Sequence, residues 1–366
     1  MRNFDCAVIG AGVFGAWIAY RLCQSGRTVA LIDTLGAGNS RSSSGGESRI
    51  IRSSYGPDEI YARWALRSLS AWKQVFDEVK QPRLFLRTGV LWTAPKDDAR
   101  VASNLQALSN SGVPFETLDH AQVGKRWPQI EFTGPIAGIY EPESGVLLAR
   151  RAVQAVVGQA IRRGVEFSSS MDQIHADQLI YACGPWLPKI FPELLKSRIR
   201  PTRQDVFFFS PSPSDRRFAP PAMPAWLHYG DPRGGYALPD IESRGFKLAF
   251  DRHGPDIDPD TTDRIVSAEA VAEARAFVRE RFPALRDAPV VETRVCQYEN
   301  TSNGDFLLDR HPERENVWIA GGGSGHGFKH GPAVGEYMEQ LISGTVKAEP
   351  RFAFTSKGTT SSRAVY

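Results

Sequence analysis

Apolar residues along this chain recur with two periods, and the switches between them mark out the elements. Phe4 to Ile9 is a short apolar run of the kind a buried parallel strand shows. A glycine-rich turn, Gly10-Ala11-Gly12-Val13-Phe14-Gly15, follows it and opens into a helical run from Ala16 to Gln24. Gly26 closes that helix, and Val29 to Ile32 is a second buried strand ending on Asp33. From Pro57 to Val79 the period is helical. Tyr61, Ala65, Leu69, Trp72, Phe76 and Val79 fall three or four apart and form one stripe, which predicts core packing. Leu84 to Trp92 reads as a strand, Asp97 to Ser111 as a helix and Val113 to Leu118 as extended chain. Trp127-Pro128, Gly138 to Tyr140 and Ser144 to Leu147 predict short strands and turns of an inserted sheet. Ala149 to Arg163 is helical again, and Ala176 to Cys183 is a buried strand entering the turn Gly184-Pro185-Trp186. Arg200 to Asp251, rich in Phe, Pro, Gly and Tyr, predicts several antiparallel strands. A helix from Ala268 to Phe282 precedes extended pieces at Val295 to Tyr298 and Phe306 to Asp309. Finally Val317 to Ala320 breaks at a second glycine turn, Gly321 to Lys329, before a last helix, Pro332 to Ser343. The polar tail after Phe352 predicts a frayed end.

Strands that alternate with helices predict an α/β fold. The expected architecture is a Rossmann-like dinucleotide-binding domain and a second, α+β substrate domain on a mixed or antiparallel sheet. The first domain is expected from three pieces, residues 1–85, 148–205 and 295–366. Residues 86–147 and 206–294 are expected to form the second. No internal repeat is visible.

Composition narrows the function classes. A chain of 366 residues with a formal net charge of +3 is too weakly basic to argue for nucleic acid. The sequence has no run of eighteen apolar residues, so no membrane span is expected. The first strand begins too early to leave room for a signal peptide, which predicts a cytoplasmic protein, and a monomer is expected. The four cysteines, Cys6, Cys23, Cys183 and Cys296, show no C-x-x-C spacing, and no metal site is expected. Cys6, Cys23 and Cys183 lie in apolar patterns and read as buried fillers.

The first glycine turn carries the clearest chemistry. In G-x-G-x-x-G between strand and helix, Gly10 makes the tight turn and Gly12 lets backbone N–H groups approach a pyrophosphate. Gly15 lets the helix pack close, and the helix N-terminus faces the phosphates. Asp33, about twenty residues on, stands where a ribose hydroxyl needs an acceptor. The polar segment from Gly36 to Glu47 leads to Ser48-Arg49-Ile50-Ile51-Arg52. Its two arginines read either as ordinary surface charge or as groups aimed at a cofactor or an anionic substrate. A second strand–glycine–helix unit near the C-terminus, in a nucleotide domain interrupted twice, is more typical of flavin than of nicotinamide enzymes.

Several stretches together carry a resemblance. They are Gly10 to Gly15, Ser48 to Arg52, Thr88-Gly89-Val90-Leu91 and Glu141-Pro142-Glu143-Ser144-Gly145-Val146-Leu147. They continue with Gly245-Phe246-Lys247-Leu248, Ile257-Asp258-Pro259-Asp260-Thr261, Val295-Cys296-Gln297-Tyr298 and Ser324-Gly325-His326-Gly327-Phe328-Lys329. Over nearly its whole length the chain is similar to the monomeric sarcosine oxidase family of FAD-dependent amine oxidases. That family also contains N-methyltryptophan oxidase, pipecolate oxidase and the fructosyl-amino acid oxidases.

The resemblance implies roles residue by residue. Cys296 stands where the family attaches its FAD through a thioether to the flavin 8α-methyl carbon. Lys247 matches the lysine near flavin N5, opposite the substrate, that helps oxygen react. Arg52 and Lys329 match the pair that grips the substrate carboxylate, as a guanidinium fork with a second cation can. Arg49 matches a basic residue beside the flavin ring, and Tyr236 and Tyr298 fall at substrate-side aromatic positions. Val13, Phe14, Ser42, Ser43 and the turn containing Gly323, Gly325, His326, Gly327, Phe328 and Lys329 complete the expected cofactor contacts.

Two departures stand out. Asp251, with His253 two further on, occupies the place of a histidine common in the family, which puts sarcosine in doubt and favours a substrate with another polar or cationic group. The stretch between Phe167 and Leu179 is shorter than usual and is expected to lack a β-meander. The resemblance implies oxidation of the C–N bond of a secondary or N-methylated amino acid, with oxygen reduced to hydrogen peroxide. A dehydrogenase on the same scaffold, passing electrons to a quinone or carrier protein, is the alternative.

Overall fold

The computed structural model describes residues 2–231 and 233–359. Its centre is a six-stranded sheet in the order Leu307–Arg310, Val317–Gly321, Ile174–Tyr181, Arg2–Ile9, Val29–Ile32 and Glu166–Ser168. All neighbours run parallel except Leu307–Arg310, which pairs antiparallel with Val317–Gly321. Val29–Ile32 and Val317–Gly321 are buried at every residue, as apolar strands of a covered parallel sheet are, whereas Ile174–Tyr181 is only partly buried. The helix Val13–Gln24 packs against the C-terminal helix Gly331–Ile342 with Gly335 at the crossing. A Cβ on Gly335 would come within 2.5 Å of the Trp17 carbonyl oxygen, so glycine sets how closely the two helices approach. Trp17 itself is fully buried, edge-on to Trp72 of the helix Glu59–Glu78 at 5.0 Å between ring centres.

An eight-stranded sheet stands beside the first. Its order is Val290–Thr301, Ile199–Phe209, Phe246–Phe250, Gly235–Leu238, Ala225–His228, Val90–Pro95, Ile136–Glu141 and Glu116–Asp119. It is antiparallel apart from the pair Ala225–His228 and Val90–Pro95, so it is a mixed sheet. A separate aromatic core, including Phe207, Trp226, Phe246, Phe277 and Phe282, lies between this sheet and the helix Ala268–Arg281. The small sheet Arg49–Ile51, Gly145–Leu147 and Phe85–Leu86 is antiparallel throughout. The strands Ile199–Phe209 and Val290–Thr301 each run on past residues 205 and 294, the positions between the segments read from the sequence.

Several expectations are corrected here. The single strand read over Leu84–Trp92 is two, Phe85–Leu86 and Val90–Pro95, in different sheets. Gly89 separates them at a φ of 70°, a left-handed turn open to glycine. Where short strands were expected near Trp127, a helix spans His120–Arg126. Its capping box was legible in Asp119 and Gln122: the Asp119 carboxylate accepts from Gln122 N at 2.8 Å, and the Gln122 side chain accepts from Asp119 N at 2.8 Å. The tail is ordered further than its polarity predicts, because Phe354 is buried against Leu187 and Leu195 and Lys357 donates to the Arg351 carbonyl at 2.6 Å. The remainder of that expectation, residues 360–366, lies outside the described residues. Cys6 is buried, whereas Cys23 and Cys183 are only half-buried. Among the described residues no helix is long and apolar enough to cross a membrane, and no cluster of His, Cys, Asp or Glu could hold a metal ion.

Candidate active site

A cavity of about 560 Å³ runs along the carboxyl ends of the parallel strands. Its walls begin at the first glycine turn. Gly10 has a φ of 104°, and a Cβ there would strike the Ala182 carbonyl oxygen at 2.5 Å. A Cβ on Gly15 would fall 1.8 Å from the Gly10 carbonyl oxygen, so the helix start sits directly on the turn. Gly12, Val13, Phe14, Ser42 and Ser43 line the cavity, with Val13 N donating to Ser44 Oγ at 3.0 Å. Asp33 lines it too, and its carboxylate accepts from Ala11 N at 2.8 Å and from Leu35 N at 2.9 Å. The far wall comes from Gly323, Gly325, Gly327 and Phe328, and from Cys296, Tyr298 and Glu299 on one strand.

The polar lining of this cavity fits a dinucleotide. Ser43 Oγ, Gln297 Oε1 and Glu299 Oε2 are buried without a hydrogen-bond partner, which leaves donors and acceptors for a ligand rich in hydroxyl and phosphate groups. Burial lifts the Glu299 carboxyl to about 7, although the N–H groups of Gly323 and Gly322 favour its charge. The helix N-terminus and the glycine turn supply the phosphate end. The cavity's size falls within the range of small-molecule and cofactor sites.

Beyond Cys296 and Tyr298, which border both spaces, lies a second cavity of about 70 Å³. Arg49, Arg52, Tyr236, Asp251, His326 and Lys329 line it. Arg49 projects from the short strand Arg49–Ile51 and donates to the Ser43 carbonyl at 2.7 Å and to Cys296 Sγ at 3.2 Å. Burial opposes its charge, but Cys296, Tyr236 and Tyr298 outweigh burial and raise its pKa. Arg52 donates to the Ser54 carbonyl and to Tyr229 Oη at 3.3 Å, with its guanidinium 4.7 Å above the Tyr55 ring. Lys329 donates to Tyr55 Oη at 2.6 Å and to the His326 carbonyl at 2.9 Å. Burial, then the charge of Arg52, pulls Lys329 well below the usual lysine range.

Among the described residues neither Arg52 nor Lys329 has an ion-pair partner. The nearby Glu141 carboxylate is committed elsewhere: Ser53 N donates to it at 2.7 Å, Ser54 N at 3.0 Å and Ser144 Oγ at 2.7 Å, and Ser54 Oγ donates as well. Burial also raises Tyr236 and Tyr298 well above the usual tyrosine range.

Lys247 is set apart from this second cavity. It is buried on the strand Phe246–Phe250 and donates to the Ser48 carbonyl at 2.8 Å and to Ser48 Oγ at 3.3 Å, at the residue that precedes Arg49. Burial first and Arg49 second pull its pKa well below the usual value.

The structure thus brings every site residue read from the sequence to the two cavities, except Gly15 and Lys247, which stand just behind their walls. Sequence reasoning missed Tyr55, Glu141 and Glu299 as site residues. Tyr55 accepts from Lys329 and meets His330 Nε2 at 2.9 Å and His326 Nδ1 at 3.2 Å, so it positions the lysine. Its nearness to Arg52 in the chain was a signal, and Glu299 follows the Cys296–Tyr298 stretch by one residue.

The FAD dependent oxidoreductase (DAO) family matches residues 5–341. The monomeric sarcosine oxidase of Bacillus sp. (strain B-0618) is 33% identical, over 93% of this chain and 92% of that protein. The N-methyl-L-tryptophan oxidase of Salmonella heidelberg (strain SL476) is 27% identical, over 93% of this chain and 95% of that protein. Among solved structures, L-proline dehydrogenase from P. horikoshii superposes with a TM-score of 0.82 at 22% identity, covering 96% of this chain and 97% of that one, a likeness of fold.

Proposed function

The chain belongs to the FAD dependent oxidoreductase family, and from that membership we propose that it oxidises the C–N bond of a secondary or N-methylated amino acid with oxygen as acceptor. One observation carries the substrate class. Arg52 and Lys329 are two buried basic residues, facing the single carboxylate of Asp251 with no close ion pair among the described residues, at the end of a cofactor-sized groove. A buried charge without a close partner is costly, and a carboxylate arriving between them lowers that cost. The relatives named for sarcosine and N-methyl-L-tryptophan act on such amino acids, which supports the same class here.

FAD, once bound, supplies a two-electron acceptor for the C–H bond beside nitrogen, and oxygen carries the electrons on to hydrogen peroxide. The chain's own residues bind and orient. Arg52 and Lys329 hold the carboxylate, Tyr55 fixes Lys329, and Glu141 fixes the backbone after Arg52 by its bonds to Ser53 and Ser54. Tyr236 and Tyr298 keep their protons and wall the substrate side. Arg49 stands beside the ring position, and Cys296 is the proposed thioether attachment, with the Arg49 guanidinium against its sulfur. Lys247 is the proposed oxygen-activating group. A monomeric state and a cytoplasmic location belong to the same proposal. A dehydrogenase using a quinone or carrier is not favoured, since the named sequence relatives are oxidases.

The test is a panel of N-methyl, cyclic and primary amino acids beside their decarboxylated amines. Amino acids should bleach the flavin spectrum anaerobically and yield one peroxide per turnover in air. Equal activity on an amino acid and its decarboxylated amine would remove the carboxylate assignment.

A further inference from the structure

Resting on that reading of the substrate, we propose that Asp251 receives the ammonium group of the bound amino acid and takes one proton from it. Asp251 directly follows the strand Phe246–Phe250, and its N–H is held by the Gly234 carbonyl at 2.6 Å, which fixes the side chain at the smaller cavity. The carboxylate accepts a hydrogen bond from Tyr298 Oη at 3.2 Å. Among the described residues it makes no ion pair. The charged and titratable groups that face it come from four other elements. They are Arg52 after the strand Arg49–Ile51, Tyr236 on Gly235–Leu238, Tyr298 on Val290–Thr301 and Lys329 in the turn Phe328–His330. Burial lifts the Asp251 carboxyl to about 6, against the opposing pull of Arg52, Tyr298 and Lys329.

Charge complementarity selects the ligand. One carboxylate with a single side-chain hydrogen bond and two basic residues, with no close ion pair among them, share a space of about 70 Å³. A zwitterionic amino acid gives each side a close partner at once, its carboxylate to Arg52 and Lys329 and its ammonium to Asp251. The cation that every amino acid carries beside the reacting carbon is its ammonium, and in a space this small it lies within reach of Asp251. The step is one proton transfer. An N–H bond breaks, its electron pair stays on nitrogen as the lone pair, and an O–H bond forms on Asp251. The neutral amine is the form whose lone pair assists loss of the neighbouring C–H, and Asp251 later returns its proton to water.

The pH dependence of kcat/KM tests this, because it counts the protons carried into the transition state. In the wild type the proton stays within the complex. The profile should therefore be level between an acid limb at about 6, where Asp251 titrates, and an alkaline limb near 10, where a free aliphatic amine does. Asp251→Asn can use only amine already neutral in solution, so its kcat/KM should climb about tenfold per pH unit from 6 to 9. Two results overturn the proposal: an Asp251→Asn profile parallel to the wild type, or a wild-type profile that itself climbs tenfold per unit through this range. The second needs no variant, so it decides the matter even if Asp251→Asn fails to load flavin. A wild type that oxidises no amino acid would instead overturn the proposed function.

Discussion

At the scale of single residues, the site separates groups that bind from groups that tune. Arg52 is 5% exposed and held over Tyr55, so Arg52→Ala removes a buried charge and leaves Lys329 alone to meet the substrate carboxylate. Truncating one member of such a contact costs about 2–5 kcal/mol. Binding of amino acids should weaken by roughly thirtyfold to several thousandfold. Flavin content should stay at the wild-type level, because Arg52 borders only the smaller cavity. Titration of the flavin spectrum with a carboxylate inhibitor checks both. Lys247→Met keeps the buried stem and deletes the amine that bonds Ser48. Anaerobic bleaching by substrate should remain near normal, while return of colour on admitting oxygen slows by about two to three orders of magnitude, the worth of one preorganised donor. A folded, yellow variant that regains colour at the normal rate would remove the oxygen-activating role.

Elements hold the groove open through close backbone approach. The helix whose N-terminus faces the cofactor cavity is pinned by Gly335 on the C-terminal helix, where any Cβ meets the Trp17 backbone. Gly335→Ala forces the helices apart and should destabilise by about 1–3 kcal/mol, with weaker flavin retention as the first turn shifts. Gly158 provides the contrast. It lies inside the helix Ala149–Arg162, and a Cβ there meets nothing nearer than a flexible Arg162 nitrogen at 3.8 Å. Gly158→Ala should stabilise by about 0.5–1 kcal/mol through helix propensity alone. Thermal melts of the two variants should move in opposite directions; an unchanged or raised melting temperature for Gly335→Ala would show that the helix crossing accommodates the added methyl.

For the whole molecule, the cofactor is expected to act as a structural member. The larger cavity joins the parallel sheet to Val290–Thr301 of the mixed sheet, so a dinucleotide in it bridges the two. Acid-precipitated wild type should stay yellow, and Cys296→Ala should release its colour to the supernatant. In Cys296→Ala the flavin becomes an ordinary ligand, so the melting temperature should rise with added FAD, by the equivalent of about 2.7 kcal/mol at a hundredfold excess over Kd. Colour released from the wild type would end the covalent assignment. A melting temperature indifferent to FAD would show that the cavity does not hold the two sheets together.

Much of this was legible in the sequence because it is local. Strand, glycine turn and helix follow one another within residues 2–24, and neighbours in the chain set their periods and turn chemistry. The cations Arg49, Arg52, Lys247 and Lys329 and the sulfur of Cys296 were visible through short motifs, and the fold carried nearly all of them to one place. Some local signals went unread, as with the capping box at Asp119. What no local pattern contains is who lacks a partner. Glu141 takes hydrogen bonds from Ser53 and Ser54 some 87 residues away, which leaves Arg52 and Lys329 without a close ion pair among the described residues. Asp251 meets Tyr298 across 47 residues and faces Arg52 and Lys329 without a close ion pair, which turns an unremarkable aspartate into a group able to take a further cation. Sequence determined the elements and the kinds of charge; only tertiary structure decided which charges are left over, because burial and pairing depend on contacts between distant segments.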